Sequence, residues 1–144
     1  SVTYYSELKK VFQDSHSANF TDSKLLGGDI VKVTDDTLSK LKGKITVLFG
    51  GFPCQSFSQG GKKDPSDPRG QMYLQLVRAT RLIEPDYVIG ENVKGLLSRV
   101  TPNGEKFLDV ILKAFADIGY QCHFKVMKVQ DHGVPQTRER LIII

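Results

Sequence analysis

The period of the apolar positions changes several times along the chain, and each change marks an element. Residues 3–6 are β-prone and short. From Glu7 onward Leu8, Val11, Phe12 and Ser15 fall at helical spacing and predict a short amphipathic helix, ending before the turn-prone Asn19-Phe20-Thr21-Asp22. Gly27-Gly28-Asp29-Ile30 reads as a turn running into a short 30–33 segment, and residues 37–41 as another short helix. Ile45-Thr46-Val47-Leu48-Phe49 is a β-rich run that stops at Gly50-Gly51, the pattern of a buried strand. Met72, Leu76, Ala79 and Ile83 place a helix over residues 71–83, ended by Glu84-Pro85-Asp86. Tyr87-Val88-Ile89-Gly90 then predicts a short buried strand with Glu91-Asn92-Val93 at its C-terminal end. Phe107, Leu108, Ile111, Leu112, Phe115 and Ile118 predict a second amphipathic helix with Gly119 as its stop. Residues 121–129 read as a strand containing Cys122 and His123, and Leu141-Ile142-Ile143-Ile144 as a last one. A terminal apolar strand leaves a sticky edge unless further sequence or a partner covers it.

Composition adds bounds. The 144 residues, 40% hydrophobic and 25% charged, suit one domain with a real core, and no second domain is called for. A formal charge of +4 is compatible with a polyanionic partner and is shared by many proteins that have none. The two cysteines, Cys54 and Cys122, lie far apart, with neither metal-type nor disulfide-framework spacing, which favours a reduced intracellular setting. No apolar run approaches a membrane span, and Ser1-Val2-Thr3-Tyr4-Tyr5 has no signal-peptide plan. A start without Met and an end on an apolar run raise the expectation of a fragment or one piece of a split protein.

The chemistry gathers at strand ends. Gly50-Gly51-Phe52-Pro53-Cys54-Gln55-Ser56-Phe57-Ser58 delivers a thiol onto a tight loop where a β-run ends, the edge at which open α/β sheets keep their ligands. The Gly/Pro-rich stretch after it, residues 59–70 with Lys62, Lys63 and Arg69, reads as a lid over an anionic substrate or as a solvated linker. Glu7 after the first β-run suits a ribose hydroxyl, or simply a helix N-terminus. Asp29 suits an exocyclic amine or ordinary turn capping. Glu91 stands at the same sheet edge as Cys54 and can hold or donate a proton there. Arg138 and Arg140, two apart at a strand entrance, point the same way and form a clamp for a carbonyl or phosphate, or else a surface Arg/Glu ladder. Such an array suits a transient covalent cysteine adduct with a carboxylate managing the proton. Protease-like Cys/His chemistry stays open, although His16, His123 and His132 lack comparable strand-end positions.

The Pro-Cys-Gln stretch at 53–55, Glu91-Asn92-Val93, and Gln136-Thr137-Arg138-Glu139-Arg140, in that order, closely resemble the DNA (cytosine-5) methyltransferase family over essentially the whole chain. The resemblance implies a Rossmann-like α/β sheet of the S-adenosylmethionine-dependent methyltransferases, with helices on both faces and incomplete, residues 1–144 forming a partial catalytic domain. It implies that Cys54 attacks C6 of a cytosine flipped out of double-stranded DNA, a step needed because the reacting ring edge is inaccessible in the stack. It assigns Glu91 to N3 and the exocyclic amine, and Arg138 and Arg140 to the O2 side and a nearby phosphate. Gln55, Ser56, Ser58, Asn92 and Gln136 become substrate-binding positions. S-adenosylmethionine is assigned to Glu7 at the ribose, Asp29 at the adenine amine, Ile30 against the ring, and Pro53 and Met72 in the pocket, with no metal; Met72 stands where the family often has Leu. Residues 60–69 resemble the family's mobile catalytic loop.

The family's Phe-x-Gly-x-Gly turn, its target-recognition region and its C-terminal motifs are absent from these residues. The resemblance therefore implies, as a further partner, the remainder of a methyltransferase on the same parent chain or a partner subunit. A bacterial or phage-type cytoplasmic enzyme of restriction-modification is the role implied. The alternatives are a non-catalytic remnant acting as a nucleic-acid-binding or assembly piece, and an RNA-methylating relative, a branch that typically has Pro-Pro-Cys where this chain has Phe52-Pro53-Cys54.

Overall fold

The computed structural model describes residues 1–53 and 71–144. Cys54, Gln55, Ser56, Ser58 and the 59–70 stretch lie outside the described residues. Strand β1 (Tyr4–Ser6) leads into helix α1 (Lys10–Asn19), then β2 (Lys24–Gly27), α2 (Asp35–Ser39) and β3 (Val47–Gly51). Helix α3 (Tyr73–Ile83), β4 (Tyr87–Val93), α4 (Phe107–Ala116), β5 (Phe124–Lys128) and β6 (Glu139–Ile143) complete the order. Two sheets result: β1 and β2 pair in parallel, and a four-stranded sheet runs β3-β4-β6-β5. In the larger sheet β3 and β4 are parallel, while β6 is antiparallel to both of its neighbours.

The expected elements are present with shifted ends, except that β2 was not expected at residues 24–27 and the 30–33 segment is turn. Helix α2 begins at Asp35 because Thr34 caps it, accepting the Thr37 N–H at 3.2 Å. Helix α3 stops where Glu84 turns left-handed at φ 51°, its N–H still bonded to the Thr80 carbonyl at 2.9 Å, and Pro85 follows without an N–H to continue. Gly119, at φ 89°, terminates the turn after α4 as expected.

The structure corrects three readings. The final run forms no sticky edge: β6 inserts between β4 and β5, and Leu141 and Ile143 are buried. An antiparallel return places the most apolar strand centrally, which periodicity alone cannot reveal. Cys122 and His123 precede β5 instead of lying within it, although His123 and Ile144 exchange backbone hydrogen bonds at 2.7 and 2.8 Å. Helix α1 forms, but it buries no residue, and its Leu8 neighbour, Val11 and Phe12 stay exposed.

The main core lies between the larger sheet and α3 and α4, built on Leu76, Val88, Leu96, Ile111, Phe115 and Leu141. Alternation along β4 sends Val88, Gly90 and Asn92 into this core and Tyr87, Ile89, Glu91 and Val93 to the other face. A second core of Val33, Leu38, Leu41, Ala79 and Ile83, with Tyr4, Leu26 and Ile30 packed on it, fastens the β1-β2 unit to α3. Arg78 reinforces this joint. Its guanidinium donates to the Ile30 carbonyl at 2.7 Å, to the Val33 carbonyl at 3.0 and 3.1 Å, and to the Asp35 carboxylate at 2.5 Å.

Candidate functional site

Register brings the end of β3, which leads toward Cys54 in sequence, and the Glu-Asn-Val stretch to one edge. Gly51, the last residue of β3, lies directly opposite Glu91 on β4. A Cβ built on Gly51 would stand 3.4 Å from a Glu91 carboxylate oxygen, so glycine leaves the carboxylate room. Gly50 answers a stricter demand, since a Cβ there would fall 2.7 Å from Leu76 Cδ1, a buried core atom. Together the two glycines let β3 lie close to the carboxylate on one face and to α3 on the other. Cys54 follows three residues after this point in sequence.

Glu91 does not stand alone. Arg140 on β6 reaches it across the sheet with Nε 2.7 Å from Oε1, both side chains being about one-quarter to one-third exposed at 24% and 30%. Val93 is the residue paired with Arg140, so Glu91 and Arg140 share a face diagonally. A guanidinium so held keeps a carboxylate fixed in direction and leaves further N–H donors for a neighbouring acceptor. Arg140 also donates to the Glu139 carbonyl at 2.8 Å. Next to it the Lys94 ammonium bonds Glu139 at 2.8 Å, and that hydrogen bond holds the Glu139 carboxyl below its ordinary range. Arg138 lies before β6 and is exposed, and Gln136 sits in the exposed turn ahead of it, accepting the Arg138 N–H at 3.0 Å.

Asn92 is buried, at 3% exposure, and faces the core side of β4. Its amide donates to the Phe52 carbonyl at 2.9 Å, and its Oδ1 accepts the Val93 N–H at 2.8 Å. The Phe52 carbonyl belongs to the peptide that enters Pro53, so a side chain adjacent to Glu91 anchors the last described residues before Cys54. Phe52 itself is buried and Pro53 is exposed.

Of the residues expected around the cofactor, Glu7, Asp29 and Ile30 lie along the β1-β2 half, while Pro53 follows β3 and Met72 precedes α3. Glu7 follows β1 and accepts the Lys9 N–H at 2.9 Å, satisfying a donor at the start of α1 and leaving its second oxygen available. Asp29 forms an Asx turn, accepting the Val31 N–H at 3.0 Å. Glu7, Ile30 and Met72, with Phe52, line one cavity of about 1360 Å³. A carboxylate acceptor, an apolar side chain and a thioether around one concavity at strand ends fit the hydroxyls and flat ring of a nucleoside. Arg78, which sequence reading missed, fixes the Ile30 turn from below; its only signal was a polar residue within an amphipathic helix.

Cys122 is set apart from this edge. It borders a second cavity of about 420 Å³ between the end of α4 and the sheet, and burial pushes its thiol up, which suppresses thiolate chemistry. Among the described residues no group of three or more His, Cys, Asp and Glu gathers in a metal-holding cluster, and no helix is long and apolar enough to cross a membrane.

Known proteins resemble this chain in sequence and in fold. A Type II methyltransferase of Haemophilus parahaemolyticus is 35% identical over 143 residues, covering 96% of this chain and 38% of the relative. One from Psychrobacter sp. is 40% identical over 129 residues, covering 88% of this chain and 30% of that protein. The chain thus spans between a quarter and two-fifths of these relatives' lengths. In fold it is similar to a DNA modification methyltransferase encoded within an Escherichia coli prophage, with TM-score 0.77, 22% identity, and coverage of 99% of this chain and 39% of the other. The DNMT2 of Spodoptera frugiperda follows at TM-score 0.75, 23% identity, and coverage of 99% and 41%. The family model of the C-5 cytosine-specific DNA methylases matches residues 1–144 from end to end. The chain belongs to that family.

Proposed function

We propose that this chain carries the reacting half of a methyltransferase that moves a methyl group from S-adenosylmethionine to C5 of a cytosine flipped out of double-stranded DNA, in a restriction-modification setting. The observation that carries the reading is the Glu91 carboxylate, held by Arg140 at 2.7 Å and placed opposite Gly51 where β3 gives way to the Pro-Cys loop. An amidine-like ring edge, with N3 beside an exocyclic amine, matches a carboxyl group, and the adjacent guanidinium matches the O2 carbonyl.

In this reading the Cys54 thiolate adds to C6, forming a C–S bond while the C5–C6 π electrons move to C5. Glu91, carrying a proton, donates it toward N3 while its other oxygen accepts from the exocyclic amine; the proton at N3 takes up the charge that the ring gains on addition and so favours it. Arg140, with Arg138, holds the O2 side and a nearby phosphate. S-adenosylmethionine, when bound, supplies an electrophilic methyl group that C5 takes up. A base then removes the C5 proton, the electrons restore the C5–C6 double bond, and the thiolate leaves. Gln55, Ser56, Ser58, Asn92 and Gln136 serve the substrate side, Asn92 by anchoring the Phe52 carbonyl.

Glu7 would hold the ribose hydroxyls, Asp29 the adenine amine and Ile30 the ring, with Pro53 and Met72 beside them. The wide cavity that Glu7, Ile30 and Met72 share supports this placement. The test is Cys54→Ser in the complete methyltransferase, scored by transfer of a labelled methyl group to duplex DNA. Loss of transfer with DNA binding retained is expected, and turnover at the wild-type rate would refute the reading.

A further inference from the structure

Three strand ends meet at the edge that carries Glu91. Strands β4 and β5 finish there at Val93 and Lys128, and the antiparallel β6 begins there at Glu139. The edge thereby holds Lys94, Lys128, Arg138 and Arg140 together with two carboxylates, Glu91 and Glu139. Glu91 takes Arg140. Glu139 takes Lys94, whose Nζ lies 2.8 Å from Oε2, while Lys128 stands opposite Glu139 in the ladder.

The Lys94–Glu139 pair is placed unlike an ordinary surface pair. Exposed pairs such as Lys40–Asp36 and Lys113–Asp117 join residues four apart along one helix, whereas Lys94 and Glu139 are 45 positions apart. Lys94 opens the short 3₁₀ helix Lys94–Ser98, immediately after the residue that pairs with Arg140 in the sheet. No clasp is needed at this point, because a ladder from Gly90 to Val93 already joins β4 to β6. With side chains 57% and 34% exposed, the pair also adds little to stability. Its partners can be exchanged. The Lys128 charge acts on the same carboxylate, so Glu139 keeps a counter-charge when Lys94 swings away. An ammonium on a flexible stem is thus held ready beside Arg140 and not locked there.

We propose that Lys94 contacts a backbone phosphate of duplex DNA, and that Glu139 is the positioning residue that holds it at the site until the backbone arrives. The proposal rests on the functional reading above, in which Arg140 meets the cytosine. A duplex brings a line of closely spaced charges past this edge, and a phosphate beside the flipped nucleotide competes with the Glu139 carboxylate for the ammonium. The exchange conserves pairing: Lys94 passes from a carboxylate to a phosphate, and Glu139 passes to Lys128. A contact of this kind fixes position and carries no sequence information.

The test is duplex binding by the complete methyltransferase that carries this chain, read by fluorescence anisotropy over a series of salt concentrations. One duplex contains the target site and a second lacks it. Lys94→Gln should flatten the plot of log K against log salt by about 0.9, the share of one phosphate, and weaken both duplexes by the same factor. Lys94→Arg should restore the slope. Glu139→Gln should tighten binding at least about threefold, and by less when Lys94→Gln is also present, because it acts by freeing the ammonium. Lys113→Gln, from the exposed pair on α4, should change neither slope nor affinity. An unchanged slope in Lys94→Gln would overturn the proposal, and so would weaker binding by Glu139→Gln, the mark of a merely structural pair. Weakening confined to the target duplex would overturn it too, since a base contact and not a phosphate would then be lost. A wild type that binds neither duplex would sink the functional reading itself, whereas normal methyl transfer with an unmoved salt slope would sink this inference alone.

Discussion

The two ends of the candidate site are built differently. The end proposed to face the base, with Glu91, Arg140 and Asn92, stands on a four-stranded sheet backed by Leu96, Ile111 and Leu141, none of which exposes measurable surface. The end proposed to hold the cofactor, with Glu7, Asp29 and Ile30, stands on a two-strand unit held to the body by the smaller core and the Arg78 hydrogen bonds. Packed sheets fix a side chain's direction to fractions of an ångström, whereas a two-stranded unit is marginal without neighbours. The difference teaches that the carboxylate and its guanidinium are in place before any ligand arrives. The geometry at Glu7 and Asp29 depends on a few joints.

The largest test of that contrast is a pair of truncations. Ile111→Ala removes a wholly buried side chain beneath the base-facing sheet and should cost about 2–5 kcal/mol of unfolding free energy. Phe49→Ala, on a residue 65% exposed at the open face, should change stability by less than about 0.5 kcal/mol. Urea unfolding of both proteins decides it; equal losses would erase the distinction.

Asn92→Ala comes next. It strands the buried Phe52 carbonyl at the base of the cysteine loop, and leaving such a group unmet costs about 1–3 kcal/mol. Besides the lower midpoint, methyl transfer in the complete enzyme should fall in kcat with little change in the KM for S-adenosylmethionine, because the loop and not the cofactor end is disturbed.

Arg78→Met probes the other end and should act in the opposite sense. It retains length and packing but removes the donors to the Ile30 and Val33 carbonyls. Two partly buried acceptors lose a charged partner, worth about 1–3 kcal/mol locally. The KM for S-adenosylmethionine should rise several-fold with kcat nearly unchanged, and amide exchange should quicken in β1 and β2 but not in β5. A pure loss of kcat would show that the ends are coupled more tightly than their packing indicates.

Much of the fold was legible because long periodic stretches carry their own signal. The apolar spacing of α4 read true, and so did the left-handed glycine after it; the run into Gly50-Gly51 forms the expected strand but not a buried one, since Val47 and Phe49 are exposed. The position of β6 was not legible, because Leu141 and Ile143 look alike in a central strand and at an edge; only pairing with β4 and β5 separates the two. The exposed face of α1 was missed for the complementary reason. An amphipathic pattern states what a helix can bury, and the burying surface must come from elsewhere. At the site, residue type and order pointed to Glu91 and Arg140, and their 2.7 Å contact needed the antiparallel return of β6. Arg78 had only the weak signal of a polar residue within an amphipathic helix, and the anchoring bond of Asn92 had none, since both act through backbone carbonyls of distant residues.

The central claim is that the edge formed by Glu91 and Arg140 presents a cytosine ring to the Cys54 thiol. It is tested most directly by trapping the complete enzyme, with S-adenosylmethionine, on a duplex carrying 5-fluorocytosine at the target position. Fluorine cannot leave as a proton does, so the C6–S bond should persist as a denaturant-stable complex of one protein per duplex. The wild type should give this complex, Cys54→Ser should give none, and Glu91→Gln should form it at least about a hundredfold more slowly. A stable adduct in Cys54→Ser, or none in an enzyme that still methylates ordinary DNA, would contradict the claim.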